Sequence, residues 1–222
     1  WNFNGCENLT TIPTTPIAVS GTPSNLAFLF TDCHSLTNIY SGIFAKYGNI
    51  TTALSAFENT YSLLGIPERL FGSNFSTLTS AVNLFRECGF NGGVTSIPAD
   101  LFQNFSSVND FGATFQNTKI TAIPAGLFDA ATIVTDFASC FNDCFDLVTV
   151  PSGLFDNNPN VTTFASCFTD CQSIVTLPNG LFDNNTAVTT FNNTFLRCNS
   201  MTSIPTGLFD NCTLATTFSG TF

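Results

Sequence analysis

The sequence predicts an α/β solenoid in which each coil of about 27 residues supplies one short parallel strand and one short helix. Three observations predict it. A Pro-x-Gly-Leu-Phe motif returns at a nearly fixed interval. An apolar pair precedes it at strand-like spacing. A Val-Phe-Phe-Cys run follows it at helix-like spacing.

The anchors are Ile12, Ile39, Ile66, Ile97, Ile123, Val150, Leu177 and Ile204, separated by 27, 27, 31, 26, 27, 27 and 27 residues. The last four read IPAGLFD, VPSGLFD, LPNGLFD and IPTGLFD. Three positions before each anchor stands another apolar residue: Leu9, Leu36, Leu63, Val94, Ile120, Leu147, Ile174 and Met201. Mostly small or polar residues fill the gap, which suits a short half-exposed strand. The Pro that usually follows has no N–H to donate and ends the strand.

Val188, Phe191, Phe195 and Cys198 fall at i, i+3, i+7 and i+10, as do Val161, Phe164, Phe168 and Cys171. That spacing predicts a helix with one apolar face, capped by the Asn residues before each run. One such repeat buries too little apolar surface to order itself, so neighbouring coils must stack. Residues 1–222 therefore read as a single solenoid of about eight coils. The chain opens on Trp1 rather than Met and stops in mid-repeat at Phe222, so a longer array is expected. The insertion Gly89–Gly93 should bulge from one edge.

Composition excludes several functions. The 222 residues are 44% hydrophobic and only 9% charged, with 15 acidic against 5 basic residues and a net charge of −10. Five scattered cations, Lys46, Lys119, Arg69, Arg86 and Arg197, make no basic stripe, so no nucleic-acid partner is expected. No run of 18 apolar residues predicts membrane insertion of this segment. The single His34 has no Ser or Cys partner at a recognised spacing, and no phosphate-binding or zinc-protease motif occurs, so no enzyme is expected. No cofactor is expected either.

The cycle C-F-x-D-C-x-S-(Ile/Leu)-x-x-(Leu/Ile)-P-x-G-L-F-D-N, clearest from Asp143 to Phe222, resembles the roughly 26-residue repeats of BspA-like leucine-rich-repeat surface proteins. Cys167-Phe168, Cys171 and Ser173-Ile174 match the family's M-F-x-x-C-x-S-L, with Cys or Phe where Met is usual. The resemblance implies a leucine-rich-repeat-type solenoid outside the cell or on its surface, acting in adhesion or partner binding. The expected function is a non-enzymatic structural or adhesive fibre or adhesin. Its partners would be protein or glycan ligands, with self-assembly into fibres a further possibility. Alternatives are a soluble recognition module that binds a protein on its strand face, and a phage or virion appendage.

Several rows are candidate sites. Thr95, Thr121, Thr149, Thr176 and Thr202, with Thr11 and Ser203, form a hydroxyl stripe on the exposed strand positions, a candidate binding face; Thr also simply suits an exposed strand. Six cysteines, including Cys144, Cys171 and Cys198, share one repeat position and read as buried thiols. Cys140 and Cys167 form an extra pair one repeat apart, close enough on stacked coils for a disulfide. Cys140, Cys144, Cys167 and Cys171 repeat a C-x₃-C spacing, but the repeat itself explains two of them, so no metal site is expected. Asp129, Asp156, Asp183 and Asp210 form a carboxylate row that reads as local turn chemistry rather than a calcium site, and Asp32, Glu87, Asp143 and Asp170 form a second row on a solvated turn. N-x-(Ser/Thr) sequons are frequent, as at Asn74, Asn104 and Asn184, and matter only in a eukaryotic secretory route.

Overall fold

The computed structural model describes residues 2–12, 23–45 and 47–222. Trp1, Pro13 and Lys46 lie outside the described residues. Successive repeats stack as coils, each bonded to the equivalent part of the next. The parallel bridges run Ser80–Asp110–Asp136–Thr163–Thr190–Thr217 along one wall, and Thr11–Asn38 and Ala122–Thr149 along the other. The Leu-x-x-Ile segments are thus parallel, as expected, but very short. Thr121 N donates to Thr95 O (3.0 Å), Val148 N to Thr121 O (2.9 Å) and Thr202 N to Val175 O (3.0 Å), a single such bond at each of these junctions. A turn on one side and a Pro on the other leave no room for a longer ladder.

The helix expected in each coil is absent among the described residues; the sole helix there is a 3₁₀ turn, Ser73–Phe75. A chain of tight turns replaces it. Phe164, Ser166, Phe168 and Asp170 send their N–H groups to Thr190, Asn192, Thr194 and Leu196 of the next coil, at 2.8–3.3 Å. The interleaved Cys167, Thr169 and Cys171 donate instead to the carbonyls three residues back, Phe164, Ser166 and Phe168. Ser166 and Asp170 have φ of 56° and 59°, and the same paired positions are left-handed in neighbouring coils: Ser139 and Asp143, Asn193 and Arg197, Asn83 and Glu87. A left-handed residue every fourth position ends any helix before its first i→i−4 bond closes. Turns of this length also return an apolar side chain inward every three to four residues, which explains the misread periodicity. Small polar residues fill most of these positions because their side chains tolerate the left-handed region.

Each turn starts on a side-chain acceptor. Asn25, Ser80, Asp110, Asp136, Thr163 and Thr190 accept the N–H of the residue two ahead, at 2.6–3.3 Å. Asn, Ser, Asp and Thr share this place because each carries an oxygen on a short stem.

Phenylalanine fills the interior in three ladders. One runs Phe3, Phe30, Phe57, Phe85, Phe115, Phe141, Phe168, Phe195 and Phe222, with neighbouring rings 5.3–5.7 Å apart and planes within 19° of each other. The second runs Phe111, Phe137, Phe164, Phe191 and Phe218. The third includes Phe128, Phe155, Phe182 and Phe209, and meets the second edge-on or tilted at 4.6–5.3 Å. Parallel contacts along a ladder and tilted ones between ladders are both favourable quadrupole arrangements.

Asparagines close the far side of the core. Asn185 Nδ2 donates to Phe155 O (3.1 Å) and Asn158 O (2.9 Å), while Asn158 Nδ2 donates to Phe128 O (3.3 Å) and Ala131 O (2.9 Å). Asn74 and Asn104 occupy the equivalent place in earlier coils, donating to Phe44 O and Phe71 O. Cys212 continues this column, its thiol directed at Phe182 O (3.7 Å).

Phe164 is fully buried between Phe137 and Phe191, so Phe164→Ala should destabilise by about 3–5 kcal/mol. Phe28→Ala removes a 41% exposed ring and should cost much less. Denaturant titration of the two variants checks the contrast; equal losses would mean that the ladder is not the stabilising element.

Asp110 offers a pH test. Burial raises its pKa from the usual 3.8, the Gly112 N–H offsets part of that, and the Asp136 carboxylate adds to it. An acid whose folded pKa exceeds its unfolded one binds more protons when folded. Its ionisation therefore weighs against the fold above the folded pKa, and the penalty fades as pH falls toward 3.8. Asp110→Asn keeps the acceptor that Asn25 already provides, so it should raise the melting temperature at pH 7 and lose that gain at pH 3. Melting curves at the two pH values decide it.

Candidate functional site

The strand segments present two exposed columns to solvent. The first holds Thr10, Thr37, Leu64, Thr95, Thr121, Val148, Val175 and Thr202; the second holds Thr11, Asn38, Gly65, Ser96, Ala122, Thr149, Thr176 and Ser203. Thr37 alone is half-buried; the others are exposed. None of the sixteen is charged, on a chain of net charge −10. Alternation sets this pattern: Ile120 and Ile123 turn inward, and the two residues between them turn out.

The five threonines singled out from sequence all lie on this face but not in one stripe. Thr95, Thr121 and Thr202 belong to the first column, Thr149 and Thr176 to the second. The Thr121 hydroxyl donates to Thr95 O (3.3 Å) and the Thr202 hydroxyl to Val175 O (3.4 Å). Part of the hydroxyl row therefore reinforces the strand junctions, leaving its lone pairs outward. Leu64 is 63% exposed, Val148 46% and Val175 43%. Sequence reading passed over these three, although an apolar residue in an otherwise Thr column was a visible signal.

Beside the face runs an external row of side chains. His34 stacks on Tyr61 at 4.7 Å and lies 3.7 Å from Asp32, and Tyr61 meets Phe90 edge-on at 6.4 Å. Lys119 Nζ stands 5.1 Å from the Phe90 centroid, 5.6 Å from that of Phe145 and 3.8 Å from Asp146. An ammonium between two ring faces is held by their negative quadrupoles. The Gly89–Gly93 insertion brings Phe90 here, bulging at the edge of the strand face as its length predicts. Phe90, Thr95, Lys119, Thr121, Asp146 and Val148 border an open hollow of about 660 Å³.

The cysteine rows serve the stacking. The thiols of Cys33, Cys144, Cys171 and Cys198 each donate to a Phe carbonyl of the preceding coil, at 3.1 Å. Thr118 sits among them, its hydroxyl on Phe115 O (2.9 Å). Cys140 and Cys167 stand in a second row whose other members include Thr114, Thr194 and Thr221, and those hydroxyls also reach Phe carbonyls. Cys and Thr alternate because either offers one short donor inside an apolar shell. Burial pushes the Cys88, Cys144 and Cys198 thiols up to about 12, and Cys140, Cys167 and Cys171 well above their ordinary value. They stay protonated and unreactive at neutral pH. All nine cysteines are thiols in this structure, and Cys6 is exposed.

The first carboxylate row stays local, while the second bonds from coil to coil and is not the solvated turn expected, since Asp170 is buried against Arg197 of the next coil. Asp129, Asp156, Asp183 and Asp210 are exposed and curl over the glycine three residues earlier in each turn. A Cβ added at Gly180 would approach Asp183 Oδ2 to 2.7 Å, and its φ of 70° also favours glycine. In the second row, Asp32 accepts from Asn59 (2.7 Å), and Asp170 is held by Arg197 through both carboxylate oxygens. The Arg197 hydrogen bonds keep the Asp170 pKa below its ordinary value. Among the described residues no three His, Cys, Asp or Glu side chains converge as metal ligands. No helix of the described residues is long and apolar enough to cross a membrane.

No protein-family model matches the chain, and no curated protein matches it. Solved structures do. One is a chain of the glycosylated Toll–Spatzle complex, described as a hub in Drosophila development and innate immunity (18% identity, TM-score 0.40, covering 86% of this chain). This chain spans 27% of that one. Another is a leucine-rich cell surface protein from Faecalibacterium prausnitzii (15% identity, TM-score 0.26, 97% of this chain and 74% of that one). A third is a leucine-rich-repeat protein of T. pallidum (17% identity, TM-score 0.32, 87% and 77%).

The thiol rows make a measurable claim. Alkylation of the native protein should label Cys6 alone, and alkylation after denaturation without reductant should reach all nine cysteines. A Cys140–Cys167 disulfide, still a proposal for an exported form, would leave two sites unlabelled, as intact mass would report.

Proposed function

We propose that this chain is a non-enzymatic recognition and adhesion segment, carried outside the cell or on its surface, that holds a protein ligand against its strand face. The uncharged double column carries this reading. A strongly acidic chain keeps sixteen neighbouring positions, fifteen of them exposed, free of charge. Covering such a face desolvates no ion, which is the condition met at the centre of protein interfaces. Hydroxyls on the face supply donors and acceptors, and Leu64, Val148 and Val175 supply apolar contact area. The resemblance of the repeat to bacterial surface-protein repeats supports the location. Stacking by repetition supports an extended display surface, because adding coils lengthens the face without redesigning it.

Beads coated with the protein should adhere to members of a panel of immobilised extracellular-matrix proteins. Thr149→Glu with Thr176→Glu should lower that adhesion about tenfold or more, by placing unpaired charge on the buried face. Asn157→Glu with Asn184→Glu, on exposed turns at the Asp156 and Asp183 row, should leave it unchanged. Equal adhesion by the two double variants would sink the strand-face reading.

A further inference from the structure

The Gly89–Gly93 insertion gives the otherwise flat strand face a preformed hollow. Its backbone is pinned: Gly89 N donates to Thr60 O (3.0 Å), Asn91 N to Tyr61 O (3.1 Å), and Gly92 N and Gly93 N both to Gly89 O. A Cβ at Gly93 would lie 1.8 Å from Leu63 O, and one at Gly89, where φ is 61°, would lie 2.5 Å from Val94 N. Only glycine lets the loop lie this close to the preceding strand. The loop therefore holds Phe90, 38% exposed, in a fixed place on the hollow that Val148 also lines.

We infer that this hollow is the anchoring pocket of the recognition face and accepts one aliphatic or aromatic side chain from an uncharged segment of a partner protein. The inference rests on the strand-face reading above and adds where on that face affinity concentrates. Interfaces draw most of their energy from a few apolar anchors seated in preformed pockets with polar rims. Here Phe90 and Val148 supply exposed carbon, and Thr95 and Thr121 supply hydroxyls. Lys119 and Asp146 form the charged rim, and they already satisfy each other at 3.8 Å. A charged partner side chain would lose water here without finding an open counter-charge. Lys119 covers one face of both Phe90 and Phe145, which reduces the ring area on which a sugar could stack.

Panning a random peptide library displayed on phage against the intact protein tests this. Enriched peptides should converge on a Leu, Ile, Phe or Trp flanked by uncharged residues. A synthetic peptide of the consensus should lose binding about tenfold with Val148→Asp and with Phe90→Ser, and less than about threefold with Thr176→Glu. Val148 is exposed, so its variant keeps the test valid if Phe90→Ser loosens the loop. A consensus built on charged residues would overturn the pocket. Binding that falls with Thr176→Glu but not with Val148→Asp would overturn the pocket while sparing the strand-face reading. Peptides indifferent to all three substitutions would overturn both. Binding of chitohexaose or maltoheptaose that Val148→Asp abolishes, with no peptide convergence, would also overturn the protein-anchor assignment.

Discussion

The structure depends on how the backbone divides its donors. Along each wall of turns, alternate N–H groups bond across to the next coil while the intervening ones close the coil's own turns. Either set alone would be insufficient. Local turns are marginal in water, and bonds between coils need the coil already bent into shape. The left-handed residue every fourth position makes the alternation possible, since it swings successive N–H groups from along the axis to within the turn. A helix would spend every donor inside its own coil and leave nothing to hold the stack.

Side chains follow from this division. Once coils are held one strand spacing apart, equivalent residues stand in contact and the interior becomes a set of columns. Phe suits such columns because flat rings stack at that separation and tilt against the neighbouring ladder. The columns beside them answer a different demand. Carbonyls left over by the turns point inward, and Cys, Thr and Asn donors meet them. A buried carbonyl without a partner would be costly, so every coil places some short donor there. The abundance of cysteine then needs no redox chemistry to explain it. Cys212, which has no counterpart in the cysteine rows, takes a place that Asn158 and Asn185 hold in the coils before it.

The proposed recognition surface is what the stacking leaves least committed. Core, turn and donor columns are committed to cohesion, and the second acidic row is bound up with Asn59 and Arg197. The two outward positions of each strand are the least committed, although the Thr37, Thr121 and Thr202 hydroxyls reinforce the strand junctions. The irregular junction at Gly89–Gly93 places a pinned aromatic loop at the edge of that surface. In a molecule built by repetition, identical coils offer identical contacts, so a departure from the repeat is where one partner can be told from another.

Much of this was legible in the sequence. A period of about 27 residues, an inward apolar pair at each strand and mostly small or polar residues between them follow from apolar spacing alone, and they survive in three dimensions except at Ile204, which is 51% exposed. Five of the six thiols of the shared row are buried, as their fixed place beside the second Phe implied; Cys6, in the first coil, is exposed instead. The helix was misread because turns of four residues and an α-helix return a side chain to the same side at similar intervals; only backbone φ at Ser166 and Asp170 separates them. Column chemistry was also hidden, since the partner of Asn185 is the carbonyl of Phe155, a full coil away. Sequence determined which residues repeat and which face inward, because burial follows local periodicity. Tertiary structure alone decided which atom of one coil meets which atom of the next, because that register is set by bonds between coils, and it alone placed Phe90 against Lys119 at the edge of the open face.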